Sequence, residues 1–284
     1  MTEQIQLSSF TMRRQRKHAT IILATSALTR RFGDLTAVNA VSLTVSTGEI
    51  FGLLGPNGAG KTTVIKMLTT LLPPTSGSAS VGGFDILRQA AQVRRVIGYV
   101  PQLLSADGAL TGYENLEVFA KLYDIPRPER RDRIREALAF MDLEGVAGKM
   151  VRTYSGGMIR RLEIAQSMLH RPRLLFLDEP TVGLDPVARH AVWERIAQLR
   201  KDYDTTILFT TNYMDEADEL CDRVAFMHLG KITATGKPSQ LKRSVRGRSM
   251  TLDEVFEHYT GGKLESGGSY RETARTRRTA RRLG

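Results

Sequence analysis

Apolar positions along this chain recur with two different periods. Strand character occupies Ile21 to Leu28, Leu43 to Val45 and Ile50 to Leu54, the last an almost unbroken apolar run. Helical spacing follows at Thr62, Val64, Ile65, Met67, Leu68 and Leu71, and Pro73-Pro74 is expected to end that helix. Short strand-like pieces return at Ala79 to Val81 and Val96 to Val100. Residues 111–170 are mostly helical in spacing, which predicts an α-helical subdomain over about 103–170. Beyond it strand and helix alternate through Leu174 to Leu177, Pro186 to Leu199, Thr206 to Thr210, Tyr213 to Leu220 and Val224 to Met227. This order predicts an α/β fold with a largely parallel sheet flanked by helices. There is no internal repeat.

Composition narrows the picture. With 284 residues, 41% apolar and 25% charged, the chain can bury a full core, which excludes wholesale disorder and a fibrous repeat. No apolar stretch approaches the roughly 20 residues that a spanning helix needs. The single cysteine, Cys221, cannot form an internal disulfide and fits a reducing compartment. The net charge of +11 sits mainly at the two ends. Residues 1–20 set Arg13, Arg14, Arg16 and Lys17 against Glu3. Residues 271–284 set Arg271, Arg275, Arg277, Arg278, Arg281 and Arg282 against Glu272. The high net charge therefore does not imply a nucleic-acid-binding core.

Residues 1–19 read as a disordered basic leader. Ile21 to Ala24 after that basic cluster looks superficially like a signal peptide, but Thr25, Ser26 and Arg30-Arg31 interrupt any apolar segment. From 261 to 284 the chain turns Gly-, Ser- and Arg-rich and reads as a tail, most simply a solvated, disordered one. In a helix, Arg271, Arg275, Arg278 and Arg282 would share one face and add weak attraction to an anionic membrane surface.

The strongest chemical signal is Gly55-Pro-Asn-Gly-Ala-Gly60-Lys61-Thr62, which matches G-x-x-x-x-G-K-[ST] between a buried strand and a helix. Its glycines let backbone N–H groups converge on phosphate oxygens, and the helix start adds a favourable dipole. Lys61 would neutralise the β- and γ-phosphates, and the Thr62 hydroxyl would ligate Mg²⁺. Downstream, Leu174 to Leu177 is an apolar strand ending in Asp178 and Glu179. Asp178 would hold Mg²⁺, and Glu179 would polarise the attacking water. Alone, two acids after a strand can be just a solvated strand end. Gln102 follows the strand Val96 to Val100, where it could reach both metal and water. Ser155-Gly156-Gly157 opens a helix; the serine is a good N-cap, and bare backbone at a helix start suits an anion.

In this order and spacing the motifs resemble the ATP-binding-cassette ATPases over about residues 20–260. The resemblance implies a nucleotide-binding loop of Gly55, Pro56, Asn57, Gly58, Ala59, Gly60, Lys61, Thr62 and Thr63, the Walker A motif. It makes Gln102 the Q-loop, Ser155-Gly156-Gly157 the signature, Leu174 to Glu179 the Walker B strand and Gly183-Leu-Asp185-Pro186 the D-loop. Phe32 lies where the family stacks an aromatic on adenine, the alternative being a plain core or surface phenylalanine. An antiparallel β subdomain and a helical signature subdomain are implied beside the core sheet.

Tyr154-Ser-Gly-Gly-Met158, Leu110-Thr-Gly-Tyr-Glu-Asn-Leu116, Tyr213-Met-Asp-Glu-Ala-Asp218 and Thr251-Leu-Asp-Glu-Val-Phe256 resemble the daunorubicin and nodulation-factor exporter branch. There the ATPase is a separate polypeptide pairing with an integral membrane permease. The implied protein is peripheral, at the cytoplasmic face of the membrane, uses ATP and Mg²⁺, and works with a second ATPase subunit, identical or paralogous. The permease would dock beside Gln102 and the helix around Glu114 to Tyr123, although Leu116, Phe119, Ala120 and Tyr123 more simply face a core. One position departs from the family pattern: Asn212 stands where a switch histidine is expected. It either contacts the γ-phosphate weakly or caps the following helix. Two other functions stay open: a soluble ATPase acting on ribosomes or DNA, and an ATP-binding regulatory subunit with weak hydrolysis.

Overall fold

In the computed structural model, which describes residues 20–244 and 250–261, the chain begins as strands β1 (Ile21–Phe32), β2 (Leu35–Val41), β3 (Thr44–Ser46) and β4 (Ile50–Leu54). Helix α1 (Lys61–Leu68) follows, then β5 (Ser76–Val81), β6 (Phe84–Asp85), α2 (Ala90–Val96) and β7 (Ile97–Val100). Three helices come next, α3 (Gly112–Leu122), α4 (Arg127–Phe140) and α5 (Gly156–Met168). The remainder alternates: β8 (Leu174–Asp178), α6 (Pro186–Tyr203), β9 (Thr206–Thr211), α7 (Met214–Leu220), β10 (Arg223–His228) and β11 (Lys231–Gly236). Helices α8 (Pro238–Ser244) and α9 (Leu252–Thr260) close the described part. The basic leader and the arginine-rich tail lie outside the described residues.

The strands form two sheets. One is antiparallel, in the order β2-β1-β5-β6, with β3 also paired to β1. The other has the order β11-β10-β4-β9-β8-β7 and is parallel except for the edge pair β10–β11. Its central strands are buried on both faces, as parallel strands covered by other layers must be. Side chains alternate across them: Phe51, Leu53, Leu174, Phe176 and Leu208 join the core shared with the antiparallel sheet and α1. Ile50, Leu175, Leu177, Ile207 and Phe209 face the core built with α3 to α6.

Several element boundaries differ from those expected of the sequence. Helix α1 stops at Leu68 rather than Leu71, because Thr70 turns to φ +64° and the N–H groups of Leu71 and Leu72 both bond back to Lys66 O. Val96 ends α2 and is not the start of β7. Strand β1 runs four residues beyond Leu28, and β2 and β11 extend the sheets with half-polar sequences that carry little apolar signal.

Two of the sequence motifs turn out to be helix starts. Thr111 Oγ1 accepts from Glu114 N at 3.1 Å while Glu114 Oε2 accepts from Thr111 N at 2.8 Å. The same reciprocal box joins Thr251 and Glu254 at the start of α9.

Candidate functional site

The loop from Gly55 to Gly60 joins the end of β4 to α1. A Cβ on Gly55 would meet Met227 O at 2.1 Å, and one on Gly60, at φ +105°, would meet Ala37 O at 2.4 Å, so neither position takes a larger residue without displacing backbone. No side chain caps α1, which leaves its first N–H groups turned to the loop. Asn57, Gly58, Ala59, Gly60, Lys61, Thr62 and Thr63 line a cavity of about 330 Å³ together with Ala37, Gln102 and Glu179.

Inside it, charged groups hold one another. Lys61 Nζ donates to Gly55 O at 2.7 Å and Pro56 O at 3.1 Å, and lies 3.2 Å from Glu179 Oε1. Gln102 Nε2 donates to Glu179 Oε2 at 2.7 Å. Thr62 Oγ1 and Thr210 Oγ1 both donate to Asp178 Oδ1, at 3.1 and 2.6 Å. Asp178 Oδ2 is buried without a hydrogen-bond partner. Glu179 takes φ +47°, held by its N–H bonding to Thr210 O at 3.1 Å and Thr210 Oγ1 at 3.0 Å. A strained backbone fixed this firmly aims a carboxylate. Tyr99, next to this strand, has its hydroxyl pushed up to about 12, first by burial and then by the charge of Asp178.

The Gln102 loop is tied to α5 by a buried ion pair. Arg160 donates from Nη1 to Pro101 O and from Nη2 to Gln102 O, both at 2.7 Å, and pairs with Glu163 at 3.0 Å. Glu163 Oε1 accepts from Ser105 N, from Ser105 Oγ at 3.2 Å and from Ala106 N at 3.4 Å. Burial draws the Arg160 guanidinium down and pushes the Glu163 carboxyl up, each opposed by the partner's charge.

Ser155, Gly156 and Asp185 lie elsewhere. Ser155 caps α5, accepting from Met158 N at 3.3 Å, and both it and Gly156 are exposed. Gly157 packs against α6, where a Cβ would meet Ala188 Cβ at 2.8 Å. Asp185 caps α6 by accepting from Ala188 N at 2.9 Å. None of these residues lines the cavity, and neither does Phe32. Phe32 is 44% exposed at the end of β1, with the Arg30 guanidinium 4.7 Å above its ring.

The ABC transporter family profile matches residues 38–182. The chain belongs to the ABC transporter family. It is 44% identical over 218 residues to the daunorubicin resistance ATP-binding protein DrrA3 of Streptomyces coeruleorubidus, covering 77% of this chain and 69% of the relative. It is 43% identical over 223 residues to the Nod factor export ATP-binding protein I of Ralstonia nicotianae, covering 78% and 69%. Among solved structures, the ATP-binding subunit of an ABC transporter superposes with a TM-score of 0.75 at 30% identity, covering 84% of this chain and 99% of that one. A dimeric ATP-binding cassette in a post-hydrolysis state with ADP and Pi superposes at 0.68 with 25% identity, covering 76% and 98%. This ABC ATPase thus binds and hydrolyses ATP, and it is similar in sequence to ATP-binding subunits of drug-resistance and export transporters.

The site of this ABC ATPase corrects one sequence expectation and adds one residue to it. Asn212 does not cap α7: the helix starts at Met214, its N-cap is Tyr213, and no side chain caps it. Asn212 is half-buried, and its side chain makes no hydrogen bond among the described residues. Thr210, which anchors both acids, was missed. Its only signal is a polar end on the apolar run Thr206 to Thr210, and its partner became visible only once β9 lay beside β8.

Proposed function

We propose that this ABC ATPase works in pairs, each ATP held between the Gly55 loop of one subunit and the Ser155 helix of the other. Closure and reopening of the pair would drive a separate membrane permease that exports a drug-like or other amphipathic compound. The observation that carries this reading is a separation within one chain. The cavity is walled by the loop, Gln102 and Glu179, while Ser155 and Gly156 stand exposed outside it. A second subunit, identical or paralogous, is needed to complete the site. Relatives named for daunorubicin resistance, linearmycin resistance in Bacillus subtilis and Nod factor export support the exporter assignment.

No helix among the described residues is long and apolar enough to cross a membrane. A separate permease, with this ATPase peripheral at the cytoplasmic face, is the arrangement we infer from the relatives named as ATP-binding proteins of resistance and export. Of the helix expected to receive that permease, Leu116 and Ala120 are fully buried, and Phe119 and Tyr123 pack on the same core. Val118 and Leu122, with Leu103 and Leu104 beside Gln102, are the exposed apolar residues there and would make the contact.

The donors present fit Mg²⁺. Asp178 Oδ2 is buried and unpartnered, and Gln102, which donates to Glu179 through Nε2, keeps its side-chain amide oxygen Oε1 for a metal. Among the described residues no cluster of three acids, histidines or cysteines could hold a metal unaided, in keeping with an ion that takes one carboxylate plus substrate phosphates. Thr62, Asp178 and Gln102 would hold it, and it would neutralise phosphate charge. Lys61 would then bind the phosphates, Glu179 polarise water, Asp185 meet the partner subunit and Phe32 stack on adenine. Asn212 would give a weaker contact to the γ-phosphate, so that hydrolysis is slow or shared with a paralogous subunit.

The test is co-expression with a permease from the same operon. The ATPase should move from the soluble to the membrane fraction, and the Glu179→Gln variant with ATP should elute as a dimer. An ATPase that stays soluble with its permease and monomeric with ATP overturns the reading.

A further inference from the structure

We propose that Glu216 is a positioning residue that ties the turn after Glu179 to the segment carrying Asn212. It would thereby set the relative placement of the two groups assigned to the reacting end of the nucleotide. The inference rests on the assignment of Glu179 and Asn212 given above.

Glu216 lies on α7 and is fully buried. Its Oε1 accepts two hydrogen bonds from two other segments: Thr181 Oγ1 at 2.9 Å and Trp193 Nε1 at 2.8 Å. Thr181 is two residues beyond Glu179, in a turn closed by Val182 N on Glu179 O at 3.2 Å and by Leu184 N on Thr181 O at 3.2 Å. Displacing Thr181 therefore displaces the backbone that aims Glu179. Trp193 sits two turns into α6, the helix that Asp185 caps.

The grip is repeated one turn earlier on α6, where the Arg189 guanidinium lies 4.3 Å over the ring of Tyr213, the residue after Asn212. Helix α6 thus holds the 212–216 segment at two points, one beside Asn212 and one at Glu216.

Packing alone does not explain a carboxyl here. Burying one is costly, and an apolar side chain of similar size would fill the space more cheaply. Burial pushes the Glu216 carboxyl up, opposed by its hydrogen bonds and by the charge of Arg189, and glutamine is the substitute that keeps both the size and the accepting oxygen. A carboxyl oxygen does what no apolar group can: it accepts from two segments at once and fixes their separation.

Trp193 is the single tryptophan of the chain, so its emission reports on this contact directly. The experiment measures ATP turnover, KM for ATP, melting temperature and tryptophan emission for four Glu216 and Thr181 variants. Thr181→Val keeps size and removes one donor; we expect kcat to fall at least fivefold with KM within twofold and melting unchanged. Glu216→Ala should lower kcat at least tenfold and shift Trp193 emission. Glu216→Gln, which still accepts both bonds, should restore kcat to within threefold and recover the wild-type emission. Glu216→Leu should stay as slow as Glu216→Ala even where it melts like the wild type. Wild-type kcat in Thr181→Val, or restored turnover in Glu216→Leu, overturns the proposal and leaves Glu216 a packing residue. Glu179→Gln is run alongside in the wild-type background; turnover retained there overturns the Glu179 assignment itself, and the proposal with it.

Discussion

The ammonium of Lys61 lies 3.2 Å from Glu179 Oε1, with both side chains almost completely buried. The lysine that would receive the phosphates is thus held by the carboxylate that would activate water. An incoming triphosphate has to take Lys61 away from Glu179, and in doing so frees the carboxylate.

From this pair a first prediction follows for Glu179→Gln. Removing one partner of a buried ion pair leaves the other charge unpaired and costs about 3–5 kcal/mol. The nucleotide-free variant should therefore melt below the wild type. ATP, which supplies the missing negative charge, should raise its melting temperature by more than it raises that of the wild type. Turnover should be abolished. Thermal-shift titrations with ATP check this, and an equal ATP-induced shift in both proteins counts against it.

Arg160 offers a second case, because its two guanidinium bonds hold the carbonyls of Pro101 and Gln102. Arg160→Met leaves Glu163 buried and unpaired, at about 3–5 kcal/mol. The double change Arg160→Met with Glu163→Leu should recover part of that stability, since it removes the unpaired buried charge but leaves Ser105 N and Ala106 N without their acceptor. It should not recover turnover, because the Gln102 loop stays untethered. Denaturant melts and ATPase rates of the two variants separate the effects.

At Asn212 the expected gain is in rate. The side chain is half-buried without a hydrogen bond, and an amide can neither become cationic nor relay a proton. A charge-assisted contact to developing charge is worth about 2.7–4 kcal/mol, part of which Asn recovers. Asn212→His should raise turnover severalfold at unchanged ATP affinity. Equal rates in the two proteins would falsify the weakened-switch reading.

His170 contributes a pH dependence to stability. Its Nε2 lies 2.8 Å from Ile97 O, which makes Nε2–H the donor, and its ring stacks on Tyr123 at 3.8 Å. Burial holds its pKa below the ordinary histidine value; the bond to Ile97 opposes this, and the charge of Arg133 adds to it. The unfolded chain takes up this proton at a higher pH than the native one, so stability is full above about pH 6.5 and is lost as pH falls. His170→Gln should lose less melting temperature than the wild type between pH 7.5 and 5.5.

Much of this protein was determined locally. The apolar run Ile50–Leu54 followed by Gly55–Thr62 encodes an apolar strand, a tight turn and an open helix start, because the run, the glycines and the lack of a capping side chain are all local features. The same holds for Leu174–Asp178 with Glu179, and for Ser155 capping α5. The two threonine–glutamate boxes at Thr111 and Thr251 were equally local and legible in principle.

What only the tertiary structure decided is which local pieces meet. Strand β9 lies between β4 and β8, pairing Leu54 with Thr211 and Asp178 with Thr210. Sheet order thus makes Thr210 the anchor of both acids. The same long-range packing brings Gln102 to Glu179 across 77 residues and Trp193 to Glu216 across 23. No periodicity along the chain encodes such pairings. They arise when two covered faces of one sheet are filled at once, and their partners are chosen by space rather than by sequence distance.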